Sequence, residues 1–202
     1  MIVYLHGLNS AGDGSFKATR LREALAPVEI VSPTYPAYSA ERAVATLEAA
    51  LTEPLERAHA RSQPRLLVGS SMGGFYGAWL GARLGFQHLV MINPALRPWE
   101  LLRAVEGWQY NQALDERYYL SAEMVAATRD YATEPAHIGL PVTLLLDRDD
   151  EFIDVHQALE AYSGIAGIHL FEGGSHGFEH MDEALEIIGA LYRALPRGSH
   201  PV

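Results

Sequence analysis

The sequence predicts an α/β fold: a mostly parallel sheet with helices on both faces. Three observations carry this prediction. Short β-branched and apolar runs alternate along the chain with segments of helical spacing. One of these runs, Leu66-Leu67-Val68, passes directly into Gly69-Ser70-Ser71-Met72-Gly73 and then into an apolar, helix-like segment. Every loop that carries polar chemistry follows a run of the strand type: His6 to Ser10, Ser71, Asp147 to Asp154, and His176. In parallel sheets function collects at the carboxyl ends of the strands.

Ile2 to Leu5 reads as a buried strand feeding the loop His6-Gly7-Leu8-Asn9-Ser10. Ala11 to Ser15 is turn chemistry, and Phe16 to about Ala26 is a helix with Leu21 and Leu25 four apart. Val28 to Val31 is a second strand, followed by a loop with Pro33, Pro36 and Tyr38. Ser39 is placed to cap the next helix, whose Val44, Leu47 and Leu51 form an apolar stripe. Pro54 is expected to kink or end that helix. Arg65 to Val68 is the third strand, and Phe75 to about Leu84 is the helix after it. His88 to Ile92 is the fourth strand, closed by Asn93-Pro94.

The pattern then changes. Leu96 to His137 lacks strand alternation and is rich in large aromatics, among them Trp99, Trp108, Tyr110, Tyr118, Tyr119 and Tyr131. It is expected to be a small helical cap, with Ser121 capping one short helix. Alternation resumes with a strand at Val142 to Leu146, a helix at Val155 to Tyr162 and a last strand at Gly167 to Phe171. Met181, Leu185, Ile188, Tyr192 and Leu195 form the stripe of a closing helix.

The 202 residues suffice for one sizeable core, so a single domain over 1–202 is expected, with the cap inserted at about 96–137. A formal net charge of −10 argues against a nucleic-acid or anionic-membrane partner. The chain has no cysteine, which excludes disulfides, thiolate chemistry and a cysteine zinc site. No basic segment precedes an apolar stretch at the start, and no apolar run approaches membrane-spanning length. A soluble, cytoplasmic protein is the expectation. Leu195-Pro196-Arg197-Gly198-Ser199-His200 partly resembles the remnant of a protease site and carries no weight in the fold.

Gly69-Ser70-Ser71-Met72-Gly73 is G-x-S-x-G between a strand and a helix, the setting of a nucleophile elbow. The turn is so tight that a side chain at Gly69 or Gly73 would collide with backbone. Ser71 is projected from the sheet edge near the amino end of the next helix, which favours developing negative charge. A serine hydroxyl is a weak nucleophile at neutral pH and needs a base, itself oriented by an acid. His176, in a Gly-rich loop after the last strand, is the candidate base. The acid is expected in the turn after Leu146, where Asp147, Asp149, Asp150 and Asp154 compete. Asp147 follows the strand directly, too early to reach across the edge. Asp154-Val155-His156-Gln157 reads as a capping box, which employs Asp154. Asp149 and Asp150 remain. The order serine, aspartate, histidine is that of an α/β-hydrolase. The backbone N–H groups of Met72 and Leu8 are the expected oxyanion hole. His6 is read as holding the Leu8 loop. Metal sites are not expected: the acidic turn lacks calcium-loop spacing. His176 and His180 are four apart, but Gly177 opposes a helix through both and a third ligand is missing.

Taken together, Tyr4-Leu5-His6-Gly7-Leu8-Asn9-Ser10, Gly69-Ser70-Ser71-Met72-Gly73-Gly74, Ile92-Asn93-Pro94-Ala95, Asp150-Glu151 and Gly174-Ser175-His176 resemble the small α/β-hydrolase esterases of the YqiA/YcfP-like (UPF0227) family. The resemblance runs from the first strand to the last helix. It implies a compact α/β-hydrolase fold and an esterase or thioesterase acting on small acyl esters, without metal or organic cofactor. Ser71, Asp150 and His176 fall on the family's triad positions, which selects Asp150 over Asp149. Asp149 stands where the family often has glycine, and its side chain is expected to face solvent. Trp99, Trp108 and Tyr110 are the candidates for an apolar wall over the acyl pocket. Thioester, amide or C–C cleavage would use the same triad, and a non-catalytic binding module on the same scaffold is the contrasting class.

Overall fold

The computed structural model describes residues 1–197, so Gly198, Ser199 and His200 of the terminal motif lie outside the described residues. In chain order the first half runs β1 (Ile2–Leu5), α1 (Phe16–Ala24), β2 (Ile30–Val31), α2 (Ala40–Ala60), β3 (Leu66–Ser70), α3 (Met72–Leu80) and β4 (His88–Ile92). An insertion follows with α4 (Pro98–Arg103), β5 (Gly107–Asn111), β6 (Glu116–Leu120) and α5 (Ala122–Ala127). The chain closes with β7 (Val142–Asp147), α6 (Val155–Tyr162), β8 (Gly167–Phe171) and α7 (Met181–Ala194). Six strands form one parallel sheet in the order β2-β1-β3-β4-β7-β8. Among the described residues no helix is long and apolar enough to cross a membrane.

Alternate residues of each strand supply the two cores. Val3, Leu5, Leu67, Leu89, Met91 and Leu144 face α2, α3 and α6. Ile2, Tyr4, Leu66, Val68, Val90 and Leu145 face α1 and α7. Burial on both faces is what makes these strands read as apolar runs. Leu67 and Leu89 are 1% exposed or less, and truncating either to alanine should cost about 2–5 kcal/mol.

Several boundaries depart from the sequence reading. The second strand is shorter than expected, Ile30–Val31, and α1 ends at Ala24. Helix α2 does not end at Pro54 but continues through it to Ala60. Leu51 and Ala58 are buried on either side of it, so packing anchors both halves of the helix. The carbonyl that loses its proline-blocked partner belongs to Ala50, an exposed residue. Ser39 stands at the N-cap of α2 without a side-chain cap bond, whereas Ser121 caps α5 by accepting from Met124 N–H. Helix α3 begins at Met72, three residues earlier than expected.

The insertion is not a purely helical cap. Its β5 and β6 form an antiparallel hairpin, with Trp108 opposite Tyr119 and Tyr110 opposite Arg117. Asp115 turns it with a φ of 51°. The alternation that marks a strand is present, but in β5 the aromatic face is not the buried one. Trp108 and Tyr110 share the outer face, while Asn111, Tyr118 and Leu120 point inward.

Candidate active site

The elbow is built by close approach. Ser71 has φ 54° and ψ −118°, a strained conformation for a residue with a Cβ, of the kind that costs about 1–3 kcal/mol. Its backbone is locked on both sides: its N–H donates to the Ile92 carbonyl at 3.0 Å, and its carbonyl accepts from Ala95 N–H at 3.1 Å. A Cβ on Gly69 would lie 2.2 Å from the Gly73 carbonyl oxygen, and one on Gly73 would lie 2.0 Å from that of Leu5. These two glycines let β3 turn into α3 against β1.

The structure brings Ser71, His176 and Asp150 into one line. Ser71 Oγ is 3.0 Å from His176 Nε2. His176 Nδ1 is 2.8 Å from Asp150 Oδ2 and 3.1 Å from Oδ1. An ionised carboxylate can only accept, so the proton sits on Nδ1, and the bare Nε2 can accept from the serine hydroxyl. The Asp150 side chain is 2% exposed. Its Oδ1 also accepts the N–H groups of Phe152 and Ile153, at 2.9 and 2.8 Å. The four aspartates of the turn have separate tasks. Asp149 faces solvent, and Asp154 caps α6 by accepting from His156 N–H at 2.9 Å. Asp147 is fully buried and bonds to His180, not His176.

Met72, the first residue of α3, and Leu8, in the loop after β1, both line the cavity that holds Ser71. Among the described residues neither backbone N–H donates to a protein acceptor. The Leu8 loop runs against the elbow: a Cβ on Gly7 would lie 3.2 Å from that of Ser71. Buried His6 holds this loop. Its Nδ1–H donates to the Gly7 carbonyl at 2.8 Å, and its Nε2 accepts from Tyr35 N–H at 3.3 Å. The Tyr35 hydroxyl donates to the His6 carbonyl at 2.5 Å. Burial pushes the His6 pKa below its ordinary value, consistent with a neutral ring that donates on one side and accepts on the other. The hairpin supports the same loop from outside. Tyr118 donates to Asn9 Oδ1 at 2.8 Å, and Asn111 Nδ2 donates to the Ser10 carbonyl at 3.2 Å.

The cavity has a volume of about 680 Å³, within the range of small-molecule sites. Its walls are mainly apolar: Leu8, Phe16, Leu101, Leu102, Val105 and Phe152. The Phe152 ring meets His176 edge-on at 5.4 Å. The three aromatics expected to wall this cavity do not line it. Trp99 packs on the other side of α4, beneath Arg129, in a separate cavity of about 140 Å³. Trp108 is 74% exposed and stacks edge-on against Tyr119. Tyr110 donates to Asp115 across the hairpin at 2.6 Å. The outward register of β5 puts both of these on the solvent face.

Sequence reading also missed groups that hold His176. His176 N–H donates to Glu151 Oε2 at 2.9 Å, and this bond keeps the Glu151 carboxyl below the usual carboxylate range. Lys17 Nζ donates to the Gly177 carbonyl at 2.7 Å. Burial lowers the Lys17 pKa, with the charge of Asp147 opposing the shift. Gly174 was the available signal of a close approach to this loop, and the group it admits is the Asp147 carboxylate.

A parallel sheet of this order, with a strained serine between β3 and α3, is the α/β-hydrolase fold, and solved structures agree. Est1E from Butyrivibrio proteoclasticus superposes with a TM-score of 0.71 at 13% identity, over 94% of this chain and 85% of its own. Alpha/beta hydrolase domain-containing protein 10 from mouse gives 0.67 at 17% identity, over 95% and 89%. A monoacylglycerol lipase from Paleococcus ferrophilus gives 0.66 at 16%, over 94% and 93%. At these identities the likeness speaks for the fold. Within that fold, residues 1–193 match the model of an uncharacterised protein family, UPF0227, and the chain belongs to that family.

Proposed function

We propose that this protein is a serine hydrolase of carboxylic esters, working through Ser71, His176 and Asp150. The observation that carries the reading is the line from Ser71 Oγ through His176 to the buried Asp150 carboxylate, at 3.0 and 2.8 Å, opening on an apolar cavity. In this reading Ser71 Oγ attacks the ester carbonyl as its proton passes to His176 Nε2. The carbonyl oxygen gains negative charge between the N–H groups of Met72 and Leu8. His176 then protonates the leaving alcohol, which departs and leaves an acyl ester on Ser71. A water molecule, deprotonated by His176, attacks that ester and frees the acid. Asp150 keeps the Nδ1 proton in place and stabilises the imidazolium. The apolar walls suit an acyl chain more than a charged one. The names of structural neighbours, a lipase and an esterase among them, lend the reading support by analogy.

The test is a panel of p-nitrophenyl esters from acetyl to hexadecanoyl, run beside acyl-coenzyme A thioesters of the same lengths. Ester turnover that disappears in Ser71→Ala is expected. Turnover of thioesters alone would move the reading to a thioesterase, and no turnover by folded protein on either series would overturn it.

A further inference from the structure

Four residues past His176 stands a second histidine, and it too is paired with a carboxylate. Asp147, at the end of β7, is 0% exposed. Its Oδ1 lies 2.7 Å from His180 Nδ1. Its Oδ2 accepts from Glu179 N–H at 2.8 Å and from Ser175 N–H at 3.2 Å. Asn93, at the end of β4, joins the same cluster: its Nδ2 donates to the Ser175 carbonyl at 3.0 Å, and its Oδ1 accepts Asp147 N–H at 2.9 Å. Gly174 permits the approach, since a Cβ there would fall 2.0 Å from Asp147 Oδ2. The His180 ring lies flat on Phe171, with centroids 4.9 Å apart and planes 11° apart.

A buried carboxylate is costly unless its oxygens are satisfied. Every donor to the Asp147 carboxylate comes from one short segment, residues 175–180, and His176 lies inside it. Neither Asp147 nor His180 lines the cavity that holds Ser71. What the pair fixes is the backbone on both sides of His176.

We propose that Asp147 and His180 are positioning residues: together they clamp the loop that carries His176 and so set the approach of its Nε2 to Ser71. The proposal rests on the serine-hydrolase reading. A displacement of about 1 Å at a reacting group can cost about 10²-fold in rate. His180→Phe keeps a ring on Phe171 and removes the donor. His180→Asn removes the ring and keeps a donor where Nδ1 stood.

The experiment compares wild type with these two variants on p-nitrophenyl acetate. Amide hydrogen exchange at Ser175 and Glu179 and the melting temperature are followed alongside. His180→Phe should lower kcat by about 10²-fold with KM little changed. The Ser175 and Glu179 amides should lose protection, and His180→Asn should recover most of both. Wild-type kcat in a folded His180→Phe would overturn the proposal. So would equal loss in both variants, because the donor would then not be the active element. If wild type cleaves neither esters nor thioesters, the serine-hydrolase reading fails, and exchange alone decides the clamp. Protection lost in Phe and kept in Asn supports it, and protection kept in Phe overturns it.

Discussion

At the carboxyl edge of the sheet each member of the Ser71–His176–Asp150 line comes from a different strand end. Ser71 follows β3, Asp150 follows β7 and His176 follows β8, and all three converge within hydrogen-bond distance. In the insertion of residues 96–137 the conspicuous side chains behave oppositely. Trp108, Tyr110 and Tyr119 spread over the outer face of a hairpin, and the work is done by quiet residues on its inner face, Asn111 and Tyr118. The parallel ladder fixes backbone ends to within a residue, so groups placed there can cooperate. A hairpin resting on the sheet edge can press a loop into place without contributing chemistry. Aromatic size alone was therefore a poor guide to which side chains meet at the cavity, and position relative to the sheet was a good one.

The largest effect should come from the edge. Ser71→Ala should keep the fold and lower ester turnover by on the order of 10⁵–10⁶. Ser70→Ala, one residue earlier on buried β3, should lose far less, as read by kcat on a short ester beside melting temperature. Next, Asp150→Asn should lower kcat by about 10⁴ by favouring the wrong tautomer of His176. The exposed Asp149→Asn should leave rate and stability near wild type. An inactive Asp149→Asn beside a silent Asp150→Asn would break the assignment.

The contrast between edge and insertion sharpens with chain-length preference. Leu101→Ala, at the cavity wall, should change the ratio of octanoyl to acetyl ester cleavage on the order of tenfold. Trp108→Ala, on the outer face, should leave that ratio unchanged, and a large shift there would mean the hairpin folds over the cavity. Asp154→Ala should lower stability by about 0.5–2 kcal/mol through the lost cap, with little effect on kcat. The smallest expected effect concerns pH. His6 is held neutral by burial, with its folded pKa below the unfolded value of about 6.5. Below that value the unfolded chain binds the proton first, so stability is full above it and declines as pH falls. Melting temperature should drop between pH 7 and 5, and His6→Asn should flatten part of that slope.

The sheet was legible because its physics is local. Leu66 to Val68 could be buried on both faces only as an inner strand, and Gly69 and Gly73 could be demanded only by a turn with no room for a Cβ. The meeting of Ser71 with His176 followed from strand order. The carboxylate that pairs with His176 was less legible, since four aspartates share one turn: the capping box set Asp154 aside, but nothing in the sequence showed that Asp147 is buried against His180. The hairpin escaped because the period-two pattern of β5 is inverted, with Trp108 and Tyr110 toward water and Asn111 inward. Pro54 did not end its helix because tertiary packing outweighed a local helix breaker.

The most direct test is covalent capture of the nucleophile. The protein is incubated with a fluorophosphonate, digested and mapped by mass spectrometry, with Ser71→Ala and His176→Ala treated alongside. One phosphonyl adduct per chain is expected, on Ser71, absent from Ser71→Ala and formed much more slowly in His176→Ala. An adduct on Ser70, an adduct indifferent to His176, or none at all on folded wild-type protein would contradict Ser71 as a nucleophile activated by His176.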